Sequence, residues 1–113
     1  MVDNRKERTK NKLLSMLALA RKAGKVAAGG DICDKAIRDG KALLVFLAAD
    51  ASANTRKRFH DKVAFYPTPM TEIFSMENFD NIGLNNRAVL VITDENFAKI
   101  MKEMIDTLDT FEL

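Results

Sequence analysis

Residues 24–40, GKVAAGGDICDKAIRDG, hold the side chains whose types and spacing best suggest chemistry. The apolar run Val26-Ala27-Ala28 reads as a strand feeding the Gly29-Gly30 pair. Residues 31–38 then read as a helix, with Ile32, Ala36 and Ile37 on one face and Lys35 and Arg38 off that stripe. Two adjacent glycines let a backbone turn sharply with no Cβ in the way, so a ligand can approach the main chain closely. The helix behind them points unpaired N–H groups, and the positive end of its dipole, back at the turn. Such a corner suits a phosphate, and Lys35, one turn further in, adds a full charge. The same residues also fit a plain strand-to-helix corner whose glycines are only steric. On its own the segment leaves both readings open.

Other chemistries lack their residues. There is no GxSxG, no Walker lysine after a glycine loop, no HExxH and no CxxC. The run 26–30 lacks GxGxxG spacing and an acidic ribose reader at the end of the next strand. His60 is the only histidine, with no second ligand at metal-binding spacing, and reads as a surface or packing residue. Cys33, the only cysteine, excludes an intrachain disulfide and a cysteine-built metal site, and inside the predicted helix it reads as a small buried hydrophobe. A reducing cytoplasm fits this usage. The expectation is a binding protein, not an enzyme, with no cofactor, metal or small-molecule substrate.

The elements that position the corner follow from the rest of the pattern. At 113 residues, 47% hydrophobic and 30% charged, the chain reads as one domain over 1–113, with 1–9 as a frayed basic terminus. The net charge is +2, yet residues 1–68 carry +8 and residues 69–113 carry −6. That polarity can present a basic surface to a polyanion, although a solvated basic face is the commoner outcome. Residues 4–25 imitate a signal peptide, but the apolar run is short, Ser15 interrupts it, and Arg21-Lys22-Ala23-Gly24 reads as a helix end with Gly24 as its cap. Leu13, Met16, Leu17 and Ala20 share one face of that helix, and no stretch is long enough to span a bilayer.

Residues 42–49 are an unbroken apolar run, and the strand expected over 87–93 holds a second one at 88–92, the mark of strands covered on both faces. Ser52 or Asp50 can cap a third helix over 54–62 carrying Arg56, Lys57 and Arg58, which read as a solvated face that could also extend a basic patch. Residues 63–66 read as a short edge strand closed by Pro67-Thr68-Pro69, and 70–74 and 77–82 as two short helical segments. Asp94 caps a closing helix with Phe97, Ile100, Met101, Met104 and Ile105 at core spacing. Alternating strands and helices imply an α/β fold, a three-layer α-β-α sandwich around a mixed sheet of about four strands.

Four local patterns, with the order of elements, resemble a known family. They are residues 20–26 (ARKAGKV), the Gly29 corner with Lys35-Ala36-Ile37, the strand running into residues 48–52 (AADAS), and Ile82-Gly83 just before Arg87-Ala88-Val89. Together they resemble the kink-turn RNA-binding ribosomal-protein family of the archaeal large-subunit type, and within it the bacterial YlxQ-like branch. The resemblance covers about residues 12–108. It implies a three-layer sandwich that binds structured RNA, in a ribosomal or ribonucleoprotein setting. It also implies contacts from three places: Gly29, Gly30, Asp31, Ile32 and Lys35; the loop Ala49-Asp50-Ala51; and the loop Leu84-Asn85-Asn86. Arg38 and Lys25 would add phosphate charge, Leu84 would pack an extruded base or sugar, and Asn85 and Asn86 would hydrogen-bond nearby.

Where the well-studied kink-turn readers have Gly-Thr-Asn-Glu, this chain has Gly29, Gly30, Asp31 and Ile32, with Lys35 retained. Asp31 accepts hydrogen bonds but lacks an amide donor, and Ile32 does neither. Backbone and lysine contacts to phosphate therefore survive while base reading is weakened. A bulged, looped or ribosomal RNA recognised by shape is the expected partner, bound by a monomer. The alternative is a protein-interaction module on the same sandwich, using an exposed apolar strip with Glu103, Asp106, Asp109 and Glu112.

Overall fold

The computed structural model describes residues 4–111. At its centre is a four-stranded mixed sheet. β1 (Val26–Ala28) and β2 (Leu44–Leu47) flank β4 (Val89–Ile92) and run antiparallel to it, and β3 (Met70–Thr71) adds to β2 in parallel. Every residue of β2 and β4 is buried, whereas β1 and Met70 of β3, on the outer strands, are partly exposed. Covering both faces of the central strands takes two helical layers. α1 (Arg5–Lys22) packs along α5 (Glu95–Phe111), and α2 (Gly30–Arg38) packs along α3 (Ala53–Phe65). The result is the α-β-α sandwich, with α4 (Met76–Asn81) in the connection from β3 to β4.

The core follows the apolar spacing. Leu13, Leu17 and Ala20 line the inner face of α1, and Phe46, Phe59, Phe74 and Phe79 are all enclosed, with Phe46 stacked on Phe74 at 5.9 Å. Enclosing each such ring is worth about 2 kcal/mol. Ser52 caps α3 by accepting from the Thr55 N–H at 3.2 Å, and Asp94 caps α5 by accepting from the Phe97 N–H at 3.0 Å. A capping box closes α4, with the Ser75 N–H donating to Asn78 Oδ1 at 2.9 Å and the Asn78 N–H to Ser75 Oγ at 3.3 Å.

Several local expectations are corrected. Residues 63–66 are not a strand: α3 runs through Phe65, because Phe59 and the half-buried Val63 recur one turn apart and anchor a helix against the core. Packing overrides the β propensity of that run. The outer strand lies beyond the prolines, at Met70–Thr71, so 70–74 is not helical. Val45 donates its N–H to the Pro69 carbonyl, a contact that needs no donor from proline. In α2 the inward positions are Cys33 and Ile37, while Ile32 is 60% exposed. On α5, Ile100 also leaves the core stripe at 42% exposure. Helix α1 begins at Arg5, inside the segment expected to fray, while residues 1–3 and Glu112 of the acidic region lie outside the described residues.

Candidate nucleic-acid interface

Strand register gathers the implied loops. Ala28 pairs with Leu90 and Leu47 with Val89, so β1 and β2 end where β4 begins. At that end the Gly29 N–H donates to the Val89 carbonyl at 3.1 Å, and the Ala48 N–H donates to the Ala88 carbonyl at 2.8 Å. The Gly29 corner, the loop after β2 and the loop before β4 therefore meet on one rim of the sheet.

At the corner Gly29 has φ 104° and ψ 152°, a conformation essentially confined to glycine. No side chain caps α2, which leaves the N–H groups of its first turn without a capping acceptor. Cys33 lies buried beneath, its Sγ 3.6 Å from the carbonyls of Ala27 and Val89. Burial pushes this thiol up to about 12, against the opposing pull of Arg58 and Arg87.

Those two arginines frame the corner. A Cβ built on Gly30 would stand 2.9 Å from Arg58 Nη1, and one built on Gly29 would stand 3.6 Å from Arg87 Nη1. Arg58 reaches across from α3, its Nη2 donating to Asp31 Oδ1 and Asp34 Oδ2, each at 3.1 Å. The Asp31 bond, above all, raises the arginine's already high pKa. Asp34 also accepts from Arg38 at 2.9 Å and pairs with Lys62 at 3.3 Å. Burial alone would raise its carboxyl, but the three cations outweigh burial and hold it below the usual range. A third guanidinium, that of Arg21, lies 3.1 to 3.4 Å from the Cβ position of Gly83, against the turn that leads into 84–86.

The other expected residues divide. Asp31 is open to solvent yet engaged by Arg58, and Ile32 presents an exposed apolar side chain beside it. Lys35 pairs with Asp39 at 2.6 Å, and the bond holds the Asp39 carboxyl down. Asp50 accepts from the Met76 N–H at 2.9 Å, so its carboxylate caps α4, while Ala51 is buried and Ala49 exposed. Leu84 packs against the core, and Asn85 and Asn86 are exposed. Asn86 adopts φ 58° and donates its N–H to Asp80 Oδ1 at 3.2 Å. Lys25 stands apart: its carbonyl accepts from the Thr93 N–H at 3.0 Å, at the opposite end of β1.

Arg58, Arg87 and Arg21 were absent from the residues expected at the site. Arg87 stands one position past the loop 84–86, which is the nearest signal the sequence offers. The run Arg56-Lys57-Arg58 divides by helical angle. Arg56 pairs with Glu72, which His60 also meets at 3.2 Å, Lys57 pairs with Asp61, and Arg58 alone of the three turns to the corner. Among the described residues no group of three or more His, Cys, Asp or Glu could hold a metal ion. No described helix is long and apolar enough to cross a membrane.

Residues 11–102 match the ribosomal protein L7Ae/L30e/S12e/Gadd45 family. The chain is similar to the RNA-binding protein YlxQ of Enterococcus faecium, 38% identical over 100 residues that span 88% of this chain and 97% of that protein. It is similar to the RNA-binding protein YlxQ of Bacillus subtilis (strain 168), also 38% identical, over 80% of this chain and 92% of the other. Among solved structures, a Bacillus halodurans protein of unknown function superposes with a TM-score of 0.78 at 31% identity, covering 84% of this chain and 97% of that one. The Giardia lamblia 15.5kD RNA binding protein superposes with a TM-score of 0.75 at 18% identity, over 91% and 89% of the two chains, a likeness of fold alone.

Proposed function

Because this chain belongs to the ribosomal protein L7Ae/L30e/S12e/Gadd45 family, we propose that it is a non-catalytic RNA-binding protein that holds structured RNA at the Gly29 corner. The names of the two YlxQ relatives support the RNA partner. The observation that carries the reading is an uncapped helix start, opened by two glycines and flanked by the guanidinium groups of Arg58 and Arg87. Such a frame offers N–H donors, a helix dipole and two cations to a phosphate. The exposed loop residues Asn85 and Asn86, the rim residue Ala49 and the cations Lys35 and Arg38 extend the same surface.

The target is a kink-turn-like, bulged or ribosomal RNA, recognised more through phosphates and shape than through base edges. Asp31 is engaged by Arg58, and Ile32 can meet a base or sugar only by apolar contact. The setting inferred is a ribosomal or ribonucleoprotein particle of the cytoplasm, with the protein bound as a monomer. Binding to a kink-turn RNA, and to the same RNA with its G·A pairs replaced, across a salt series tests this reading. Similar affinities that weaken steeply with salt are expected. No binding to either RNA would refute it. It would also favour the protein-interaction reading, for which Ile100 exposed one turn from Glu103 on α5 is the feature in hand.

A further inference from the structure

Two turns beyond the corner, α3 carries an aromatic side chain that the core does not use. Phe65 is 77% exposed, and its ring meets the Tyr66 ring edge-on, centroids 4.8 Å apart. Singly exposed apolar residues are common. The surroundings of this one are not. Arg58, Lys62 and Phe65 stand at i, i+4 and i+7 and so form a stripe along one helix face. With Asp34, Asp61 and Tyr66 they line an open groove of about 510 Å³ between α2 and α3. Lys62 Nζ lies 5.9 Å from the centre of the Tyr66 ring, which places a cation at the rim of the aromatic pair.

We infer that Phe65 is a stacking platform for one unpaired base of the RNA held at the corner, with Lys62 and Arg58 guiding the intervening strand. This rests on the proposed RNA-binding function and names a part of the RNA not otherwise accounted for. Arg58 makes the two places continuous, since the side chain that covers Gly30 also lines the groove. From Arg58 to Phe65 the helix rises about 10 Å, a short span for a flexible strand leaving the corner. Both carboxylates of the groove are already paired with cations, Asp34 with Arg58 and Lys62, and Asp61 with Lys57. An aromatic face beside cations is the arrangement by which single strands are held without sequence preference.

The test compares a kink-turn RNA that ends flush with the same RNA carrying a short single-stranded extension containing 2-aminopurine. For the wild type the extension is expected to tighten binding about tenfold and to quench the 2-aminopurine fluorescence. Phe65→Ala should abolish both gains and leave the flush RNA unaffected. Phe65→Trp should retain both gains, whereas Phe65→Leu, apolar but without a π face, should lose them. An extension that adds no affinity, or one whose gain survives in Phe65→Ala, would overturn the inference and leave Phe65 to a protein contact. Failure of the wild type to bind even the flush RNA would overturn the corner reading, and this inference with it.

Discussion

Replacing Gly30 by alanine separates the fold of the corner from its charge. Gly30 lies inside α2 with ordinary helical geometry, so an alanine meets no backbone strain there. Its Cβ would stand 2.9 Å from Arg58 Nη1, closer than real Cβ contacts allow, and something must move. The neighbour is the far end of a flexible side chain, so Arg58 swings away and loosens its 3.1 Å bonds to Asp31 and Asp34. Those bonds lie at an exposed surface, where each is worth less than about 1 kcal/mol. The alanine returns roughly 0.4–1 kcal/mol by restricting the unfolded chain. Net stability should therefore change by less than about 1 kcal/mol in urea unfolding. RNA binding, by contrast, should lose one guanidinium from the proposed phosphate frame, and the salt slope should fall by about 1. A Gly30→Ala protein destabilised by several kcal/mol would refute the flexible-neighbour reasoning. An unchanged salt slope would refute the role given to Arg58.

Gly29→Ala is expected to behave oppositely: its Cβ has ordinary room at 3.6 Å, but φ 104° strains any other residue, and stability should fall by roughly 1–3 kcal/mol, read as a loss of about 5–15 °C in Tm. Asp34→Asn should weaken the α2–α3 pairing by roughly 1–2 kcal/mol at neutral pH. Because the folded carboxyl titrates below its usual range, its contribution is present above that range and lost as pH falls through it, so the variant's acid unfolding curve should be flatter. The Cys33 thiol should resist alkylation in the native protein at neutral pH and react once unfolded. An exposed thiol ionises near 9 and the folded one at about 12, so stability should decline as pH rises from 9 towards 12.

Much of this fold was legible because its central strands are apolar without a break. The runs around Leu44–Leu47 and Val89–Ile92 could only be strands covered on both faces, and that fixes a layered sandwich. The Gly29-Gly30 pair marked the corner itself. Errors fell where local propensity and packing disagree. Residues 63–66 have strand-forming side chains but continue a helix anchored by Phe59, and Ile32 has a core side chain but faces water at the start of α2. The arginines of the candidate site were hidden for a different reason. Arg58 reaches the corner only because α3 packs on α2, and Arg87 only because β4 pairs beside β1. Both pairings join residues far apart in sequence, and no local pattern encodes them.

The most direct test of the central claim is the affinity of Arg87→Glu for a kink-turn RNA, measured against the wild type across a salt series. Arg87 is exposed and stands beside the Gly29 backbone, so its reversal spares the core while placing a negative charge at the proposed phosphate position. The account predicts binding weakened by about tenfold or more at low salt, with a shallower salt dependence. A folded Arg87→Glu protein that binds the RNA as tightly as the wild type, with the same salt dependence, would contradict it.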